Sequence, residues 1–210
     1  LKSNVAMTNS KLMWAHLSLI LCNIVWACDY PFYNLVLGRY ISPMAMVSAS
    51  LVIAATLSLV PLLWEKPERV ESADRLKMFG AAMLMGVARK LCMMFGLANT
   101  SPIDGSIIST STPLIVLFLS AIVGIERLSK IKITGLLLGM VGAIAIIVSS
   151  SHSSHENSSI EGNILILTSA CVSAAYMVWF KRLVGKYRIT TILRWIYCAS
   201  AIVMLPIGAH

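Results

Sequence analysis

Residues 103–124 read IDGSIISTSTPLIVLFLSAIVG, 22 positions with one charged side chain, Asp104. At about 1.5 Å per helical residue, such a run spans about 33 Å, enough to cross a hydrocarbon core about 30 Å thick. Six more runs of this kind occur, at 14–35, 43–64, 77–97, 131–149, 162–183 and 191–208. They are continuously apolar and rich in Leu, Ile, Met and Ala. A β-barrel would instead show segments of about ten alternating residues. The fold class expected is therefore all-α, a polytopic membrane helix bundle with about seven transmembrane helices.

The composition requires the same reading. Of 210 residues, 58% are hydrophobic and 12% are charged, and the mean hydropathy is +0.81. Soluble domains carry roughly 25% charged residues. A soluble chain this small has too much surface per volume to hide that apolar content. This excludes a disordered chain, a soluble enzyme and a nucleic-acid binder with a basic surface, and nucleic acid is not an expected partner. The lipid bilayer is. The five cysteines lie inside apolar runs and form no C-x-x-C pair, so they read as small packing residues. His152 and His155 form a lone H-x-x-H in a Ser-rich loop without further ligands, so no metal site is expected.

The net charge of +8 is distributed by side. Lys2, Lys11 and the loops after the second, fourth and sixth runs hold thirteen Lys and Arg residues, whereas the loops between hold only Arg39. Cytoplasmic loops carry the excess of Lys and Arg, so the N-terminus is expected in the cytoplasm of an integral membrane protein, in a bacterial inner membrane.

The first and sixth runs resemble each other. Leu19-Ile20-Leu21 falls on Leu165-Ile166-Leu167, and Tyr30 falls on Tyr176. Five spans separate their starts, so a second copy would enter from the opposite face, the inverted-repeat arrangement of many secondary transporters. The second copy would then hold only two spans here, and a protein of about ten spans is expected.

Glycines, hydroxyls and prolines recur in a characteristic order. Gly96-Leu97 is followed by Thr100-Ser101-Pro102, Ser106-Ile107-Ile108 and Thr112-Pro113. The pair Glu126-Arg127 and a helix with Gly135, Gly139 and Gly142-Ala143 come next. This order resembles the third-to-fifth-span signature of EamA-type transporters in the drug/metabolite transporter superfamily. One departure lies in the first run, where Trp26-Ala27 stands in place of the usual Trp-Gly and is followed by Cys28-Asp29-Tyr30-Pro31 rather than by small residues. The resemblance implies a first five-helix repeat over 12–149, an extracytoplasmic loop over 150–161 and the start of a second, inverted repeat over 162–210. It implies a central cavity built largely from helices 1, 3 and 4 with their second-repeat partners. It also implies secondary active transport of small organic metabolites or drugs by alternating access, often outward, with a proton as the possible coupling ion and no cofactor.

Charges inside hydrocarbon point to where such a site would lie. At mid-helix each costs roughly 2.5–3.5 kcal/mol, so they face an interior or a cavity. Asp29 in the first run and Arg89 and Lys90 in the third are the clear cases. One of the cations is expected to bind an anionic or carboxylate-bearing substrate, with Asp29 as counter-ion or proton carrier. The alternative is a structural pair of Asp29 with Arg89 or Lys90. In the fourth run Ser109, Thr110 and Thr112 precede Pro113, whose missing N–H frees the Ser109 carbonyl for a polar site. Tyr30 is a further substrate-binding candidate, and Asp104 is expected to cap its helix. Glu126 and Arg127 are expected to form a gating or structural charge network. The spacing of Gly135, Gly139 and Gly142 suits close helix contact, including a homodimer. A non-transporting scaffold or sensor is the rival function. An intramembrane enzyme is a weaker one, because no G-x-S-G, no H-E-x-x-H and no intramembrane Asp pair is present.

Overall fold

The computed structural model describes residues 9–37, 39–125, 129–149 and 159–208. Apart from an isolated bridge between Leu37 and Ile41, the elements among them are helices. In chain order these are α1 (Asn9–Val36), α2 (Pro43–Leu59), α3 (Ser72–Ala98), α4 (Pro102–Ile122), α5 (Lys130–Ser149), α6 (Ile160–Trp179), α7 (Lys181–Lys186) and α8 (Ile189–Gly208). Among the described residues six helices, α1 to α4, α6 and α8, are long and apolar enough to cross a membrane. The 131–149 run forms the 20-residue α5, whose described apolar stretch is Ile131–Gly142. Gly38, Glu126, Arg127 and the loop residues 150–158, with both histidines, lie outside the described residues.

Local chemistry sets the helix starts. Ser42 and Ser101 each precede a proline at the first helical position, and each hydroxyl accepts a backbone N–H three residues on, from Ala45 at 3.2 Å and Asp104 at 3.1 Å. Ser159 does the same for Gly162 at 3.0 Å. Serine caps satisfy N–H groups that no helical carbonyl reaches, and proline loses nothing where its N–H would be idle. The capping residue of α4 is thus Ser101 and not Asp104, which sits in the first turn. The reason is reach: Ser101 occupies the extended cap position, where its oxygen meets the Asp104 N–H. At the other end of α4, Gly124 takes a φ of 75°, the left-handed conformation that ends helices cheaply only at glycine.

Two pairings organise the bundle: α2 lies along α8, and α6 lies along α3 and α4. Leu51, Met94, Leu97, Ile108, Ile166 and Met204 are fully buried where these meet. A second cluster, Met78, Leu183, Tyr187, Ile192 and Ile196, closes the end that carries the 65–71 and 180–190 loops, here termed the basic face. Helix α3 changes partner along its length. Its segment Ser72–Ala82 packs on α8, its segment Arg89–Ala98 packs on α6, and Met83–Ala88 between them touches both. Glycine permits the α3–α6 contact. A Cβ on Gly96 would lie 2.8 Å from Ile166 Cδ1, and one on Gly162 would lie 2.5 Å from the Asn99 carbonyl oxygen. Backbones that close gain packing contacts, which lipid cannot supply by exclusion of water. Much of α1 presents Leu17, Leu19, Ile20 and Leu21 outward, which lipid tolerates and water does not.

Candidate functional site

Two irregular helix segments and one helix with an internal proline lie near the intramembrane charges. The first is in α3, where Met83–Ala88 form a π turn and the Arg89 N–H reaches back five residues to the Leu84 carbonyl. Such turns are rare and concentrate at functional positions. Arg89 and Lys90 follow directly. The second is in α4, which is interrupted at Thr110 and Ser111 between helical segments Pro102–Ser109 and Thr112–Ile122. The Ser109 carbonyl that Pro113 leaves idle is taken by the Thr112 hydroxyl at 2.7 Å, and Thr110 donates to Ile107 at 2.6 Å. The third is α1, with Pro31 inside it. Tyr30 and Ser109 join α1 to α4 through a hydroxyl–hydroxyl hydrogen bond. The Tyr30 ring lies close enough to α4 that an added Cβ on Gly105 would come within 3.2 Å of it.

Near this contact, α1, α2 and Lys90 line an open pocket of about 330 Å³, with Phe32, Ile53 and Leu57 each more than half exposed. Phe32 and Tyr33 line it from α1, and Met46, Ser50, Ile53 and Leu57 are among its walls from α2. Among the described residues Lys90 is the one charged residue in the lining, with its ammonium 5.8 Å from the Tyr33 ring centre. Asp29 and Arg89 both act electrostatically on Tyr30, Tyr33 and Lys90. No salt bridge joins Asp29 to Arg89 or Lys90 among the described residues.

The candidates thus fall into two groups. Lys90 lines the cavity, with Asp29 near it. Tyr30 and Ser109 form the α1–α4 contact, whereas Thr110 and Thr112 turn their hydroxyls to their own helix and Pro113 is exposed. Glu126 and Arg127 lie outside the described residues. Sequence reasoning missed Phe32, Tyr33 and the α2 wall. Their only signal was an aromatic pair one turn beyond Asp29.

It also missed a clasp at the basic face. Glu65, Glu68, Glu71 and Asp74 recur every third residue and meet the segment that runs from α7 into α8. The Lys186 ammonium lies 2.6 Å from Glu71 Oε2 and 2.7 Å from Asp74 Oδ2. Asp74, itself buried, also accepts from Lys77 at 2.9 Å and from the Tyr187 hydroxyl at 2.9 Å. The Arg188 N–H donates to Glu68 at 3.0 Å, and Thr190 donates to Glu65 at 3.1 Å. The hydrogen bond from Arg188 holds the Glu68 carboxyl below the usual glutamate range. Hydrogen bonds to Asp74 and then Glu71 hold the Lys186 ammonium above the usual lysine range.

Residues 13–148 match the sequence profile of the EamA-like transporter family. The chain belongs to this family. It is 29% identical over 154 residues to an uncharacterized transporter of Archaeoglobus fulgidus, an alignment covering 73% of this chain and 53% of the relative. It is 29% identical over 131 residues to an uncharacterized vacuolar membrane protein of Saccharomyces cerevisiae, covering 56% of this chain and 33% of that protein. The chain therefore spans about half the length of the first relative and a third of the second. No solved structure matches it significantly. Family membership and the six apolar helices make this an integral membrane protein of a transporter family.

Proposed function

We propose that the complete protein is a secondary active exporter of small organic metabolites or drugs that carry an anionic group, working by alternating access. The observation that supports this most is Lys90 in a cavity whose walls are otherwise apolar, aromatic or neutral. An ammonium at this depth costs roughly 2.5–3.5 kcal/mol. The Tyr33 ring returns about 0.5–2 kcal/mol. A deficit remains that a substrate carboxylate would offset, with its apolar body against Phe32, Ile53 and Leu57. Asp29, near Lys90 yet not in a salt bridge with it, suits the role of counter-ion or proton carrier. The basic face lies in the cytoplasm in this reading, and a bacterial inner membrane suits the charge asymmetry.

The full-length protein in proteoliposomes tests the proposal by efflux under an imposed pH gradient, with a panel of labelled solutes competed by unlabelled ones. Carboxylates with apolar bodies are expected to compete. Competition by cations alone would overturn the anion assignment, and no flux of any solute would favour a scaffold.

A further inference from the structure

Helix α3 is held by different neighbours on the two sides of its π turn. On the side toward the basic face, the Ser200 hydroxyl of α8 donates to the Ala82 carbonyl at 2.9 Å. Beside it, Gly86 is so close that an added Cβ would lie 1.9 Å from Ser200 Oγ. On the far side, the Ser169 hydroxyl of α6 donates to the Arg89 carbonyl at 3.1 Å, and Gly96 is seated against Gly162. The segment Ser72–Ala82 thus belongs with α8, and Arg89–Ala98 belongs with α6. The α2 wall of the cavity packs along α8.

We infer that the π turn Met83–Ala88 is a swivel that exchanges Lys90 for Arg89 at the cavity when α6 turns against α8. The inference rests on the transport reading above. A π turn holds one residue more between bonded backbone partners than an α turn does. Winding it into α-helix turns the following segment by about 100°, the rotation of one residue. The position then facing the cavity passes to the preceding residue, and before Lys90 stands Arg89. The two cations differ in what they hold. Arginine binds a carboxylate through two parallel N–H bonds, whereas lysine binds it as a point charge. The swivel therefore presents two affinities to one anion, which is what a carrier needs in order to load on one side and release on the other. Ser200 and Ser169 act as positioning residues, because they fix the two ends of the turn.

The test uses the full-length protein with its native cysteines replaced. Arg89→Cys and Lys90→Cys are labelled separately by a cationic methanethiosulfonate in proteoliposomes, with and without an imposed transmembrane pH gradient. Labelling at 89 is expected to rise in the condition where labelling at 90 falls. A position 89 that never labels overturns the swivel, whether or not the protein transports. Deleting Ala88 removes the extra residue while leaving Ala82 and Gly86 on Ser200 and Lys90 at the cavity. This variant is expected to fold, to keep solute binding and to lose flux by about tenfold or more. Flux equal to that of the unaltered protein would overturn the inference. Absence of flux in the unaltered protein would instead defeat the transport reading.

Discussion

The Lys186 ammonium lies 2.7 Å from Asp74 Oδ2, a contact between residues 112 apart in sequence. It ties the first turn of α3 to α7, the short helix that joins α6 to α8. Partner number and burial rank its members. Asp74→Asn is expected to lower the melting temperature most, because Asp74 is buried and accepts from Lys77, Lys186 and Tyr187. Glu71→Gln should follow. Loss of the charge at Glu65 should change little, since its ion pair with Arg188 is exposed and 3.9 Å long. Thermal unfolding of the purified variants in detergent checks the order.

The same clasp sets an acid limit. Glu68 has a lowered pKa in the folded protein, so its contribution is present above the ordinary glutamate value of about 4.3 and is lost as pH falls through the folded value. Lys186 has a raised pKa, so its contribution is fully present below the ordinary lysine value of about 10.4 and survives until pH exceeds the folded one. Melting temperature is therefore expected to be flat from neutral pH to moderately alkaline pH and to fall on the acid side. In Glu68→Gln the fall should be shallower. An unchanged acid limb in that variant would count against the role of the Arg188 hydrogen bond.

The glycines separate into close contacts and open positions. Gly162→Ala places a Cβ 2.5 Å from a backbone oxygen, which cannot swing aside as a side chain would. A cost of about 1–3 kcal/mol is expected. Gly135 has nothing within 4 Å of such a Cβ, so Gly135→Ala should be neutral or stabilise by up to about 1 kcal/mol. Chemical unfolding of both variants distinguishes them.

Tyr30 and Ser109 form the hydrogen bond between α1 and α4. Interhelical hydrogen bonds in membranes average about 0.6 kcal/mol and reach about 1.7. A double-mutant cycle of Tyr30→Phe and Ser109→Ala is expected to give a coupling in that range. Zero coupling would show that α1 is held there by packing alone.

Most of the fold was legible because lipid imposes a simple rule: twenty apolar residues with satisfied backbone groups make a helix. The break ahead of Pro113 was written locally as well, whereas the α4 cap was assigned to Asp104 and belongs to Ser101. Of the candidate pocket, sequence pointed only to Lys90, where a charge is conspicuous in an apolar run. The α2 wall was not legible, since Met46, Ile53 and Leu57 look in sequence like any lipid-facing residues. Nor was the π turn, because the partner of Gly86 is Ser200, far along the chain. The clasp escaped because orientation is read from Lys and Arg alone, which sets aside Glu65, Glu68, Glu71 and Asp74.

Lys90 carries the central claim, and flux of a labelled apolar carboxylate in proteoliposomes of the full-length protein tests it most directly. Lys90→Met is expected to lose about tenfold to a hundredfold of the flux, the worth of one charged hydrogen bond, while Lys90→Arg keeps much of it. Unaltered flux in a well-folded Lys90→Met protein would contradict the account.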